Sequence, residues 1–219
     1  MSHQTLLEYL TKDAPPALSY QNTTRTSNTT NNKYSWRDIK NVVPWPDFSY
    51  SRIIQDYGPV LNRTSILSDP MPTSPPRPIR DESLFHDRFV EYISPRVRRA
   101  LRAGFEQNPS LTAAANHEAV TFDGGSAVTL LDQFKPDTAI LRSSDIVGTG
   151  DNRAPGDLKV SWKWKSEWRT TTDAQDAREY KQVLSQLNYY MVQNKTKYGF
   201  IVTDTELVPM TGNCDWKLS

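Results

Sequence analysis

Two acids and a lysine near the middle of the chain have the types and spacing of a metal site. From Asp157 to Lys165, polar and apolar residues alternate strictly. Asp157, Lys159, Ser161, Lys163 and Lys165 share one face, and Leu158, Val160, Trp162 and Trp164 the other. Such alternation predicts a half-buried strand. Side chains two apart on a strand project the same way, so the carboxylate of Asp157 and the ammonium of Lys159 should stand side by side. A further acid, Asp137, lies some twenty residues earlier behind Pro136, in a run from Phe134 to Leu141 that also reads as a strand.

The flanking segments supply elements to carry these side chains. Leu84, Phe85, Phe89, Tyr92, Ile93, Val97, Leu101 and Phe105 recur at helical spacing, interrupted by Pro95 and closing near Gly104. Strands are expected at 119–122, before the Asp123-Gly124-Gly125 turn, and at 127–131. A polar loop from 143 to 155 leads into the Asp157 strand. Residues 173–193 predict a helix with Val183, Leu184, Leu187, Tyr190 and Met191 on one face, and strands follow at 198–203 and 206–210. A helix between the third and fourth strands permits a parallel crossover, so the expected fold is α/β with a mixed central sheet flanked by helices.

The first 79 residues read as an N-terminal extension, and residues 80–219 as the folded domain. Ser2 is expected to cap a short helix carrying Leu6, Leu7, Tyr9 and Leu10, ended by Pro15 and Pro16. Residues 14–35 are Thr/Asn-rich and predict a flexible linker. An aromatic segment from Trp36 to Phe48, able to pack against a neighbouring domain or a partner, and a short helix over 51–57 come next. The proline-rich stretch 69–78 marks the expected boundary.

The 219 residues carry a formal net charge of +1, so no global positive field points to a polyanion and local patches must. The single cysteine, Cys214, excludes an internal disulfide framework, and the three scattered histidines, His3, His86 and His117, exclude a His-rich metal site. The sequence shows no secretory leader and no run approaching the roughly 18 apolar residues of a membrane span. The expected location is therefore intracellular, nuclear or cytoplasmic. The sequons at Asn22, Asn28, Asn62 and Asn194 are expected to stay unmodified.

Pro136-Asp137 followed by Asp157-Leu158-Lys159 resembles the signature of the PD-(D/E)XK, or restriction endonuclease-like, nuclease superfamily. Similar strings occur at Asp38-Ile39-Lys40, Glu179-Tyr180-Lys181, Asp215-Trp216-Lys217 and Pro46-Asp47. Only the Asp137 and Asp157 pair falls on neighbouring strands with a helix before and after. Gln186 and Tyr190, one turn apart on the expected helix, are similar to the QxxxY motif of the RecB-like branch. The tail from Tyr198 to Val208 looks like that of fungal members. The resemblance covers residues 80 to 210.

The resemblance implies a restriction endonuclease-like core (αβββαβ) and a metal-dependent hydrolase that cleaves DNA phosphodiesters with Mg²⁺ or Mn²⁺. Asp137, Asp157, the carbonyl of Leu158 and Glu82 would ligate the metal, with Glu91 as a second glutamate candidate. Lys159 would orient the attacking water or offset charge on the phosphate, and Gln186 and Tyr190 would assist it. Arg98, Arg99 and Arg102, with Lys163, Lys165 and Trp168, are candidates for contacting nucleic acid, Trp168 by stacking. Trp162 and Trp164 are expected in the core. The alternative is a catalytically inactive domain of the same fold that binds nucleic acid or serves as a scaffold.

Overall fold

The computed structural model describes residues 2–113 and 117–212. Cys214 and the Asp215-Trp216-Lys217 string lie outside the described residues. In chain order the elements are β1 (His3–Thr5), α1 (Leu6–Thr11), α2 (Tyr50–Arg63), β2 (Ser65–Leu67), α3 (Glu82–Tyr92), α4 (Ser94–Gln107), α5 (Ser110–Ala113), β3 (Val120–Gly124), β4 (Thr138–Arg142), β5 (Gly156–Leu158), α6 (Ala174–Gln193), β6 (Tyr198–Val202) and β7 (Leu207–Thr211). β1 and β2 form a small antiparallel pair.

The fold is α/β, built on a five-stranded mixed sheet in the order β3-β4-β5-β6-β7. β5 and β6 are parallel and the other pairings antiparallel. The parallel pair exists because α6 carries the chain from one edge of the crossover to the other. Asp173 caps α6 by accepting the amide of Asp176 at 2.8 Å, and Asp81 caps α3 through the amide of Leu84 at 3.0 Å. Pro95 at the start of α4 divides α3 from α4 as the sequence predicts. α4 continues past Gly104 to Gln107, because Gly104 faces Leu6 of α1 in mid-helix rather than forming a terminus.

The sheet divides two apolar clusters. On one face Val183, Leu184, Leu187 and Met191 of α6 bury against Ile201 and Trp164. On the other, Phe85 and Phe89 of α3 pack on Leu158, Val160 and Phe122. Asp157 therefore faces α6, because it lies beside Ile201 in the parallel register while Leu158 faces α3. At the junction of β4, β5 and β6 the strands meet at Gly156. A Cβ there would lie 2.2 Å from Thr138 Oγ1 and 2.3 Å from the Phe200 ring, so only glycine lets the three strands come together.

Several expectations from the sequence are corrected. The strand expected over Asp157–Lys165 ends at Leu158. Asp204 accepts Ser161 N at 2.6 Å and Ser161 Oγ at 2.7 Å, and Lys163 N returns to Val160 O at 2.8 Å, which turns the chain. The alternation consequently stops governing sidedness. Trp162 packs towards the α3 cluster, while Trp164 stacks on Tyr180 beside α6 at 5.7 Å between ring centroids. No strand forms over 127–131. A 3-10 turn spans Gly125–Ala127, and Val128 makes only an isolated bridge to Gly150. The first helix is capped by Thr5, in a reciprocal pair with Glu8, rather than by Ser2, which precedes β1.

The segment expected as a flexible linker lies against the core. Asn28 and Tyr34 are 3% and 5% exposed. Asn28 donates its backbone amide and its Nδ2 to Glu179 Oε2 at 2.8 and 2.9 Å. Gln182 of α6 donates to Thr29 O at 2.9 Å and accepts Trp36 N at 3.0 Å. Hydrogen bonding to α6, together with the burial of Tyr34 against Phe134 and Tyr189, holds residues 28–36 in place. Farther along, Ile39 and Val42 join the α6 cluster and Trp45 stacks on Tyr198 at 5.9 Å. The short helix expected over 51–57 is the longer α2, with Pro59 inside it. Among the described residues no helix is long and apolar enough to cross a membrane.

Candidate active site

The centre of the site is the short ladder between β4 and β5, which pairs at a single register position, Thr138 with Gly156. Just ahead of β4, the Asp137 side chain takes the place of the next backbone partner, with its Oδ2 accepting Leu158 N at 2.7 Å. This bond ties the first acid to the strand that carries the second. Asp157 follows Gly156 on β5 and is 2% exposed, and Lys159 is 7% exposed. Lys159 Nζ lies 2.9 Å from Asp157 Oδ2, donates to Leu158 O at 3.3 Å and stands 3.5 Å from Glu82 Oε1. The second oxygen of Glu82 accepts Lys163 Nζ at 2.7 Å. Acid and base thus alternate from Asp137 and Asp157 through Lys159 and Glu82 to Lys163.

The charges are strongly perturbed. Burial pushes the Asp157 carboxyl up to about 7; the neighbouring Asp137 adds to the rise, and Lys159 opposes it. Burial alone would pull the Lys159 ammonium down, but Asp157, Glu82 and Asp137 reverse this and hold it above its ordinary range. Asp157 Oδ2 and Glu82 Oε1 are buried and lack an aligned hydrogen-bond donor, although Lys159 is near both.

α6 closes the site from above. Gln186 Nε2 donates to Tyr190 Oη at 2.9 Å, both residues are buried, and Gln186 Oε1 has no partner among the described residues. Burial raises the Tyr190 phenol, and the Asp157 charge adds to the shift, which puts this pair within the field of the acids. The structure also brings in Tyr34, which sequence reasoning missed. Its phenol is raised by burial and then by the charge of Asp157. Its one signal in the sequence is an aromatic residue at the end of a Thr/Asn-rich run.

The donors that converge are oxygen atoms, as a hard divalent cation requires. Asp137 and Asp157 come together. Glu82 is separated from them by Lys159, and among the described residues no group of three or more His, Cys, Asp or Glu side chains is set to hold a metal. The Leu158 carbonyl is engaged by Lys159. Buried Asp157 beside Asp137 fits a cation held by the two aspartates, with Glu82 turned to the lysines.

The nucleic-acid candidates are dispersed. Arg98, Arg99 and Arg102 of α4 border a cavity of about 630 Å³ with Thr121 and Ser143. Arg98 lies 3.4 Å from Asp123 and Arg99 2.6 Å from Asp69. Lys165 pairs with Glu167 at 3.2 Å, and Lys163 turns in towards Glu82. Trp168 is 8% exposed in the α6 cluster with Arg25 4.6 Å above its ring, so it offers no free face for stacking. Glu91 pairs with Arg88 at 2.7 Å, outside the acid–lysine network. The cavity between α3 and the β6–β7 side of the sheet, about 720 Å³, is lined by none of Asp137, Asp157, Lys159 or Glu82.

Compared with family models, with curated proteins and with solved structures, the chain matches none. The functional reading therefore rests on the geometry of the site.

Proposed function

We propose that the protein is a metal-dependent nuclease of the PD-(D/E)XK kind, using Mg²⁺ or Mn²⁺ to hydrolyse DNA phosphodiesters inside the cell. The observation that carries the reading is buried Asp157, between Asp137 just ahead of the neighbouring strand and Lys159 just past the end of its own. A carboxyl group held at such a cost in solvation, beside a second acid and a lysine, suits a functional site better than a surface ion pair. The antiparallel run β3-β4-β5 followed by the α6 crossover to parallel β6 supports a restriction endonuclease-like core.

In this reading Asp137 and Asp157 hold the cation. Bound there, the metal would polarise the phosphate and make its water more acidic. Lys159, held protonated by its three acids, places a positive charge beside the phosphate oxygens and offsets the charge that develops there. Glu82 fixes the positions of Lys159 and Lys163 from α3. Gln186 and Tyr190 shield the acids from bulk water, and the free Gln186 Oε1 can accept a proton-bearing group of the substrate. The α4 arginines would bear on the phosphate backbone away from this centre.

A second reading is favoured by one observation. Lys159 already compensates both Asp157 and Glu82, and among the described residues no third acid joins the aspartates. That arrangement suits an inactive domain that binds nucleic acid. Purified protein incubated with single-stranded and duplex DNA in Mg²⁺ and in Mn²⁺ separates the two. Cleavage that disappears in Asp157→Asn and Lys159→Ala supports the nuclease. Binding without cleavage in either metal, or equal cleavage by folded variants, overturns it.

A further inference from the structure

A cavity of about 680 Å³ opens between α1, α2, α4, the start of β3 and the end of β4, and none of Asp137, Asp157, Lys159 or Glu82 lines it. Volumes of this order hold a small organic molecule. The helices give the cavity apolar walls, from Leu6 and Leu10 of α1, Leu61 of α2, and Leu101 and Phe105 of α4. Leu10 and Tyr57, which also line it, are 42% and 56% exposed, so the apolar surface continues out to solvent.

The strand side of the cavity is charged. Val120 of β3 pairs with Arg142 of β4 in the antiparallel ladder, and the amide of Arg153 donates to Ile140 O at 2.7 Å, which brings both arginines to this end of the strands. Among the described residues Glu118 is the one acid on the wall. It is already engaged, by Arg142 at 3.2 Å and by Ser144 Oγ at 3.0 Å. Arg153 is exposed, and its guanidinium has no ion-pair partner among the described residues. Two arginines thus stand against one glutamate, and His117 beside them can add only positive charge. Apolar walls with an uncompensated cation at the edge suit a ligand that has an apolar body and a single negative head.

Gly104 is an independent sign that this space is left open. It sits inside α4 and lines the cavity together with Ala100, one turn earlier. Glycine in a helix interior costs stability relative to alanine. Sterics do not require it here, because a Cβ at this position would come no closer to a neighbouring element than 3.7 Å, at Leu6 Cδ2. A longer side chain at this position would take up the void instead.

We propose that this cavity binds a long-chain carboxylate, with the carboxylate on Arg153 and Arg142 and the hydrocarbon tail between α1, α2 and α4. The site is separate from the acid–lysine centre and does not depend on the nuclease reading.

The test uses the full chain and a dansyl-labelled undecanoate as fluorescent probe, with dodecanoate and dodecylammonium as competitors below their micelle concentrations. The probe should bind saturably, one per chain, with a blue shift in emission. Dodecanoate should displace it at least about tenfold more effectively than dodecylammonium. Arg153→Ala should weaken dodecanoate binding about tenfold and should not weaken dodecylammonium binding. Gly104→Leu, which fills the space, should abolish probe binding while the melting temperature holds or rises. Should that variant melt early, Arg153→Ala at the exposed rim decides alone. Binding that never saturates, equal competition by the two amphiphiles, or normal binding by either folded variant would overturn the proposal. So would a concentration-dependent dimer that Gly104→Leu abolishes, because the cavity would then belong to a second copy of the chain.

Discussion

Asp157 and Lys159 stand 2.9 Å apart on one short segment, both withdrawn from solvent, and each sets the other's charge. Taking two charges out of water costs several kcal/mol per ion, and mutual attraction offsets this only in part. Removing Lys159 leaves the buried Asp157 without its cation, whereas Lys159 without Asp157 keeps Glu82. Lys159→Ala should therefore lower stability by about 3–5 kcal/mol and abolish metal-dependent cleavage. Lys159→Met with Asp157→Asn should restore most of the stability but none of the cleavage. Urea titration alongside a cleavage assay checks both.

The raised carboxyl of Asp157 sets the direction of a pH dependence. A group whose folded pKa is about 7, against 3.8 ordinarily, binds its proton more tightly in the folded protein. Its contribution to stability is full below about pH 4 and is lost as pH rises through about 7. Metal-free protein should therefore fall in melting temperature across that window, and Asp157→Asn should flatten the fall. Because the cation binds the ionised form, Mg²⁺ should raise the melting temperature more at pH 8 than at pH 5. Melting curves with and without EDTA decide this.

Asn28 anchors the N-terminal segment over α6 through two bonds to Glu179 and one from Nδ2 to Lys163 O at 3.1 Å. Asn28→Ala removes the side-chain donor and strands part of the buried carboxylate, at a cost of about 1–3 kcal/mol. Amide exchange around Tyr34 should quicken in this variant before exchange in α6 does. Exchange that rises equally in both would mean the segment is not held separately by this contact.

Gly156→Ala tests the close approach of three strands. Its new methyl would overlap Thr138 Oγ1 and the Phe200 ring, and overpacking of this kind costs about 1–3 kcal/mol. Since Asp157 is the next residue, cleavage should fall by more than the loss of folded protein explains. Activity normalised to folded protein by circular dichroism makes the comparison.

Sequence periodicity determined much of the scaffold. The caps and apolar spacing of α3 and α6 are local, so Asp81, Asp173, Pro95 and the face from Val183 to Met191 could be read directly. The pairing of Asp137 with Asp157 and Lys159 was also legible, because an acid and a lysine two apart at the end of a strand, with a proline before the other acid, carry their own geometry. Local pattern failed where distant partners intervened. Alternation from Asp157 to Lys165 implied one long strand, yet Asp204, some forty residues away, turns the chain at Ser161. A Thr/Asn-rich run implied a linker, yet Glu179 and Gln182 bind it to α6 through polar contacts that hydropathy does not register. Trp168 sat among basic residues, yet folding buries its ring under Arg25. Glu82 looked like a metal ligand from its place at a helix start, and only the packing of α3 set it against two lysines. Tyr34 joined the site only through tertiary structure, since proximity between residues more than a hundred positions apart arises from the whole sheet and helix assembly, and no local pattern encodes it.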